Sequence, residues 1–161
     1  LQKSFEKLQA QCPTCRMWYG VPRGNQPLNA HMHVEERRGK IPGFENCKSY
    51  FEIFYNIPSG IQTRDHPRPG NYYHGTSRTA YLPNNEQGQK VLELFKLAFR
   101  YRLMFTVGDS VTTGRTDVVV WNSIHNKTSV YGGPQKFVCF LVNAFCKNFL
   151  FDNFSFSWIS N

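Results

Sequence analysis

The sequence predicts a mixed α/β (α+β) domain from about residue 27 onward, in which a twisted sheet packs on one central helix. Three observations carry that expectation. The stretch "EQGQKVLELFKLAFRYR" (86–102) places Val91, Leu94, Phe95 and Ala98 at i, i+3, i+4 and i+7, the spacing that gives a helix one apolar stripe. "SYFEIFYNI" (49–57) before it, and "LMFTVG" (103–108) and "DVVVW" (117–121) after it, are dense in the β-branched and aromatic residues that fit a pleated surface. Strands flanking a single helix bury its stripe when the helix covers one face of their sheet.

The elements follow in chain order. "LQKSFEKLQAQ" spaces Leu1, Phe5 and Leu8 like the last turns of a helix leading into "CPTC". Residues 20–30, "GVPRGNQPLNA", are rich in Gly, Pro and Asn and read as a linker or tight turns, with a domain boundary there. The 49–57 strand stops at Pro58, and "SGIQTRDHPRPGNYYHG" (59–75) reads as loop. His66, set between Asp65 and Pro67 in a rigid turn, reads as structural. Asn84 or Asn85 caps the helix. The two later strands are joined by "DSVTTGRT" (109–116), and no internal repeat is visible. Residues 138–161 differ in kind: from Phe137 to Asn161 the chain has seven of its 14 Phe, one Lys and one Asp, without an amphipathic period.

The chain has 161 residues, enough for one core of ordinary size, and 40% of them are hydrophobic, which excludes a disordered tail. Nineteen Lys and Arg against 11 Asp and Glu give a formal charge of +8, a balance that attracts anionic partners and equally describes a basic solvated surface. Five cysteines, an odd number, with no leader of the secretory type, point to a reducing cytoplasmic or nuclear setting. The most apolar stretch, "FVCFLVNAFCKNFLF", is broken by Asn143, Lys147 and Asn148, so no membrane span is expected. A nucleic-acid-binding role is the weaker reading of the basic charge, because no basic stripe is interleaved with aromatics.

Candidate chemistry gathers in two places. Cys12 and Cys15 are spaced to reach one Zn²⁺ from a single turn; they supply half of a four-ligand site, and a redox or structural pair is the competing reading. Pro13 between them and Arg16 after them favour zinc. The second place is "DVVVWNSIHNKT" (117–128), where an apolar strand ends in a dense polar set. His125 carries an imidazole, a group whose ordinary pKa suits a general base, although a histidine at a strand end is commonly satisfied by a backbone carbonyl. The loop before the strand offers backbone N–H groups and the hydroxyls of Ser110, Thr112 and Thr113 beside Gly114, which suit a diphosphate and equally suit a hydroxyl-rich hairpin. Tyr72, Tyr73, Tyr81 and Trp121 are aromatic enough to form a platform for a base or simply to fill a core. Arg64, Arg68 and Arg78 line an anionic site or a solvated face. No Walker loop, dinucleotide-binding glycine fingerprint, HExxH helix or GxSxG elbow occurs.

In order along the chain, "CPTCRMWYGVPRGNQP", "IPSGIQTRDHPRPG", "YLPNNEQGQKVLELFKLAFRYRLMFTVG" and "TTGRTDVVVWNSIHNKT" resemble the Deltex family of RING ubiquitin ligases, and "GGPQKF" resembles its shorter members. The resemblance implies that residues 1–19 end a RING zinc domain, with Cys12 and Cys15 as zinc ligands and Pro13 and Arg16 contacting a ubiquitin-loaded conjugating enzyme. It further implies that residues 27–137 are a Deltex C-terminal domain binding ADP-ribose or NAD. Arg78, Tyr81, Ser110, Thr112, Thr113, Gly114, Trp121, Asn122 and His125 would then contact the ligand, and His125 would act as base on a ribose hydroxyl that accepts ubiquitin. Imidazole, indole and the Gly–Thr bend are expected to gather where the two neighbouring strands run out. Roles in Notch signalling or the DNA-damage response follow by the same resemblance. So does the alternative of a non-catalytic ADP-ribose reader, and so does the expectation that these residues alone are an inactive ligase fragment.

Three departures from the family pattern stand out. Asn126 replaces a second histidine, a change the pocket is expected to tolerate, and Asp109 adds a negative charge beside the expected diphosphate site. After Phe137 the family's "GYPDP" turn, final helix and assisting glutamate give way to the Phe-rich tail, which reads as translated non-coding sequence or as a divergent isoform. Loss of that helix is expected to uncover apolar surface and lower solubility.

Overall fold

A computed structural model describes residues 23–124 and 126–131. Within them the element order is β1 (His31–Arg38), β2 (Ser49–Ile57), β3 (Gly60–Ile61), β4 (Tyr72–Tyr73), β5 (Thr76–Pro83), a helix α1 (Glu86–Arg100), β6 (Phe105–Gly108) and β7 (Val118–Trp121). The strands form three small sheets: antiparallel β1-β2-β5, the short pair β3-β4, and the hairpin β6-β7. The mixed α/β class and the single central helix stand as the sequence predicts.

β2 is the middle strand, and its alternation shows why the sheet has an inside. Ile53, Tyr55 and Ile57 are buried, while Glu52 and Asn56 point the other way. Register continues that face through Val34 opposite Ile53 on β1 and through Ala80 and Leu82 on β5. Helix α1 presents Leu92, Phe95 and Ala98 to this face, and Met104, Phe105, Val107, Val119 and Ile124 complete one continuous core. Val91 and Leu94, expected on the stripe, sit at its margins and are partly buried. The buried stripe runs through Gly88, Leu92, Phe95 and Ala98, so Phe95 and Ala98 are shared with the expected stripe and Leu92 is added. Asn85 is the N-cap: its side chain accepts from the Gly88 N–H at 2.8 Å.

Two strands of the main sheet, β1 and β5, carry no clear alternation in sequence and were not expected. The stretch read as loop holds β3 and β4, whose residues Ile61 and Tyr72 face each other across the pair. Part of the stretch read as linker belongs to the core region. Gly24, Gln26 and Pro27 are buried. The Gly24 N–H donates to the Tyr101 carbonyl at 2.9 Å, and Arg102 Nε donates to the Gln26 carbonyl at 2.7 Å. Gly24 has to be glycine, since a Cβ there would stand 1.9 Å from the Arg102 carbonyl oxygen. Among the described residues no helix is long and apolar enough to cross a membrane.

Candidate functional site

The β6-β7 hairpin is tied to the rest of the molecule by a parallel bridge between His74 and Val118. The His74 N–H donates to the Asp117 carbonyl at 2.9 Å, and the Val119 N–H donates to the His74 carbonyl at 3.0 Å. The bridge is isolated, and further along the Tyr81 N–H meets the Lys127 carbonyl with an offset two residues longer. At the end of β7, Trp121 stacks on Phe105, with centroids 4.4 Å apart, and meets the Tyr55 ring edge-on at 5.5 Å. The Tyr55 hydroxyl donates to Asn126 Oδ1 at 3.1 Å, and Asn126 Nδ2 donates to the Ile124 carbonyl at 3.2 Å. Arg78 lies opposite Tyr55 in the β2-β5 register and is exposed. Tyr55 thus links the exposed Arg78 position on β5 to the half-buried Trp121 indole, and Asn122 follows that indole in the chain.

The polar run after Trp121 answers to the free edge of β5. The Tyr81 N–H donates to the Lys127 carbonyl at 2.9 Å, so the segment touches that edge at Lys127. Lys127 is buried, and its Nζ donates to the Tyr131 carbonyl at 2.9 Å. Burying an ammonium group is costly unless its donors are met, and this hydrogen bond meets one of them while folding the segment back on itself.

The loop between β6 and β7 is internally bonded. The Ser110 N–H donates to the Arg115 carbonyl at 2.8 Å, and the Gly114 N–H to the Ser110 carbonyl at 2.8 Å. Ser110 Oγ accepts from the Thr113 N–H at 3.2 Å, and Thr113 Oγ1 accepts from the Arg115 N–H at 3.4 Å. Gly114 adopts a φ of 67°, the left-handed turn that glycine enters without steric cost. Of the two sequence readings, this geometry has the form of the hydroxyl-rich hairpin, with its backbone donors turned inward.

Charge at the loop stems is neutralised in an unexpected way. Arg68, carried on the 62–71 loop, grips Asp109 with both terminal nitrogens, at 2.9 and 2.8 Å, and also reaches Asp117 at 2.8 Å. Hydrogen bonds to Asp109 and then to Asp117 push the Arg68 pKa up, and the guanidinium holds both carboxyls below the usual carboxylate range. Asp109 is therefore not a loose negative charge. His66 is locked as expected of a structural residue: Nδ1 accepts from the Thr63 N–H at 2.9 Å, so Nε2 carries the proton and donates to the Asn25 carbonyl at 2.8 Å.

The structure brings together some of the residues picked out from sequence and separates others. Trp121 and Asn122 form the rim at the end of β7, and Arg78 pairs with Tyr55, whose ring meets Trp121. Ser110, Thr112, Thr113 and Gly114 stand beyond its beginning, because the loop joins Gly108 to Val118 while Phe105 pairs with Trp121 at the far end of the hairpin. The expected gathering of indole and Gly–Thr bend at one point is thus corrected: they flank β7, roughly 10 Å of strand apart. Tyr81 lies on the opposite face of the sheet from Tyr55 and Trp121. It packs against Tyr50 at 6.1 Å, and burial, then the Glu52 carboxylate, pushes its phenol pKa up. His125, Cys12, Pro13, Cys15 and Arg16 lie outside the described residues. Sequence reasoning missed Tyr55, hidden inside a strand, and the pairing of Arg68 with acids 41 and 49 residues away. Among the described residues no group of three or more His, Cys, Asp or Glu is placed to hold a metal ion.

Comparison with known sequences identifies what this fold is. The family described as the Deltex C-terminal domain matches residues 23–140, so the chain belongs to the Deltex family. Human probable E3 ubiquitin-protein ligase DTX3 is 47% identical over 132 residues, covering 81% of this chain and 38% of that relative. Human E3 ubiquitin-protein ligase DTX1 is 48% identical over 120 residues, 73% of this chain and 19% of its own length. Mouse E3 ubiquitin-protein ligase DTX4 is 45% identical over 120 residues, with the same coverage. The chain spans well under half the length of these relatives.

Proposed function

We propose that this chain is the ligand-presenting part of a Deltex-type RING ubiquitin ligase, whose C-terminal domain binds ADP-ribose or NAD and offers it, free or attached to a protein, for ubiquitylation. The observation that carries the reading is the extended similarity to proteins named E3 ubiquitin-protein ligases, which runs through the strand that ends at Trp121. The rim supports it: a flat indole at Trp121 and an amide at Asn122 are the group types that a base and a ribose require. His125 is the proposed base. It takes the proton of a ribose hydroxyl while the oxygen attacks the thioester carbonyl at the ubiquitin C-terminus, and the thiolate of the conjugating enzyme leaves. Cys12 and Cys15 are proposed as zinc ligands of the RING, which recruits that enzyme with help from Pro13 and Arg16. We place the protein in cytoplasm and nucleus, with Notch signalling or DNA-damage responses as its setting.

The test is ubiquitin transfer to ADP-ribose by protein carrying a complete RING, with and without His125→Ala. Loss of transfer in the variant with ADP-ribose binding kept supports the base role, and unchanged transfer removes it. Binding without transfer in the unaltered protein favours the non-catalytic reader, a reading that the inward-turned donors of the 109–116 loop also favour.

A further inference from the structure

Arg68 is mounted on a loop that is itself closed. Its N–H donates to Gln62 Oε1 at 2.9 Å, the Gly70 N–H returns to the Gln62 carbonyl at 2.9 Å, and the Gln62 N–H bonds the Asn71 carbonyl at 2.8 Å. His66 pins the same loop to Asn25. From this fixed base the guanidinium grips the first residue after β6, Asp109, and the last before β7, Asp117. Those two are the stems of the β6-β7 loop. The stems are also bonded to each other, Asp117 N–H to Asp109 Oδ1 at 3.3 Å, and Asp117 holds a left-handed φ of 53° that a non-glycine residue adopts only under constraint.

We infer that Arg68 is a positioning residue that latches the β6-β7 loop shut, so that the backbone donors of Ser110, Thr113, Gly114 and Arg115 reach an anionic ligand only when Asp109 lets go. In the latched form the N–H groups of Ser110, Thr113, Gly114 and Arg115 are spent on the loop itself. One guanidinium between two carboxylates also leaves Arg68 with no net positive charge to offer a diphosphate, and Arg115 stands as the loop's own cation. Asp109 and Arg68 are both substantially exposed, at 52% and 40% of their side-chain surface, so water competes for the pair and the latch opens at low cost. Asp117, at 21%, is the more permanent stem. The ligand half of the inference rests on the ADP-ribose reading, and the latch itself does not.

Two measurements on the full chain separate these. Amide hydrogen exchange of wild type, Asp109→Asn and Arg68→Lys reads the latch. The amides of 110–115 are expected to exchange roughly tenfold faster in both variants, with β2 and α1 unchanged, because neither amide nor ammonium reproduces the two-pronged pair. Calorimetry with ADP-ribose reads the gate, and Asp109→Asn is expected to bind about threefold tighter or more than wild type. Glu93→Gln, which breaks an exposed ion pair on α1, serves as the control that shifts neither. Equal loop exchange in all proteins would overturn the latch. Faster exchange with weaker ADP-ribose binding would overturn the gate and make the closed loop the binding form. Absence of ADP-ribose binding throughout counts against the ADP-ribose reading, while the exchange rates still uphold or overturn the latch.

Discussion

Single residues in this protein are held by partners far away in sequence, and that decides what substitution does. His66 is buried with both ring nitrogens engaged, so His66→Ala should cost about 2 kcal/mol, for it leaves the Thr63 N–H and Asn25 carbonyl without their partner. A shift of the denaturant midpoint checks this, and an unaltered midpoint would contradict it. Tyr55→Phe keeps the edge-on ring contacts with Phe105 and Trp121 and removes the hydroxyl that donates to Asn126, so a smaller loss of about 1 kcal/mol is expected in the same assay. The structural role of His66 was legible from its place beside Pro67, but its acceptor was not, since Asn25 is 41 residues upstream. Trp121 was legible as an aromatic platform. Only packing shows that one face is already used by Phe105.

At the scale of elements, legibility follows burial on one face. The helix and strands β2, β6 and β7 carry an apolar period because each turns a side to the core. β1, "HMHVEERR", is an edge strand whose outer face is solvated and charged, and β5, "TSRTAYLP", buries Ala80, Leu82 and Pro83 only at its far half. Neither offers a full alternation to read. Gly88 illustrates a conflict that the sequence alone resolves wrongly. Helix propensity favours Gly88→Ala by about 1 kcal/mol, yet a Cβ there would lie 1.8 Å from the Pro83 carbonyl oxygen, so the substitution should lower the melting temperature by several degrees. The acid latch has a pH signature. Asp109 and Asp117 have depressed pKa values in the folded state, so their contribution is present above the unfolded value near about 4 and is lost as pH falls through the native values. The melting difference between wild type and Asp109→Asn should therefore be visible at neutral pH and shrink below about pH 4, and a difference that grows on acidification would contradict the pairing.

For the whole molecule, the class and the order of helix and strands were readable from periodicity, and family membership from specific strings such as "WNSIHNKT". The layout of the candidate site was not. Sequence places Ser110–Gly114 and Trp121 within a dozen residues, whereas a hairpin strand sends them to its two ends. A nucleotide that used both would lie along β7, with its phosphates toward the loop and its base or ribose toward Trp121 and Asn122. The formal charge of +8 brings anions toward this surface but does not choose among them. The central claim is that this domain binds ADP-ribose on that rim, and titration calorimetry of the chain with ADP-ribose tests it most directly. Saturable binding that weakens roughly tenfold or more in Trp121→Ala, with the fold retained, is the predicted result. No heat of binding in wild type, or undiminished affinity in a folded Trp121→Ala protein, would contradict it.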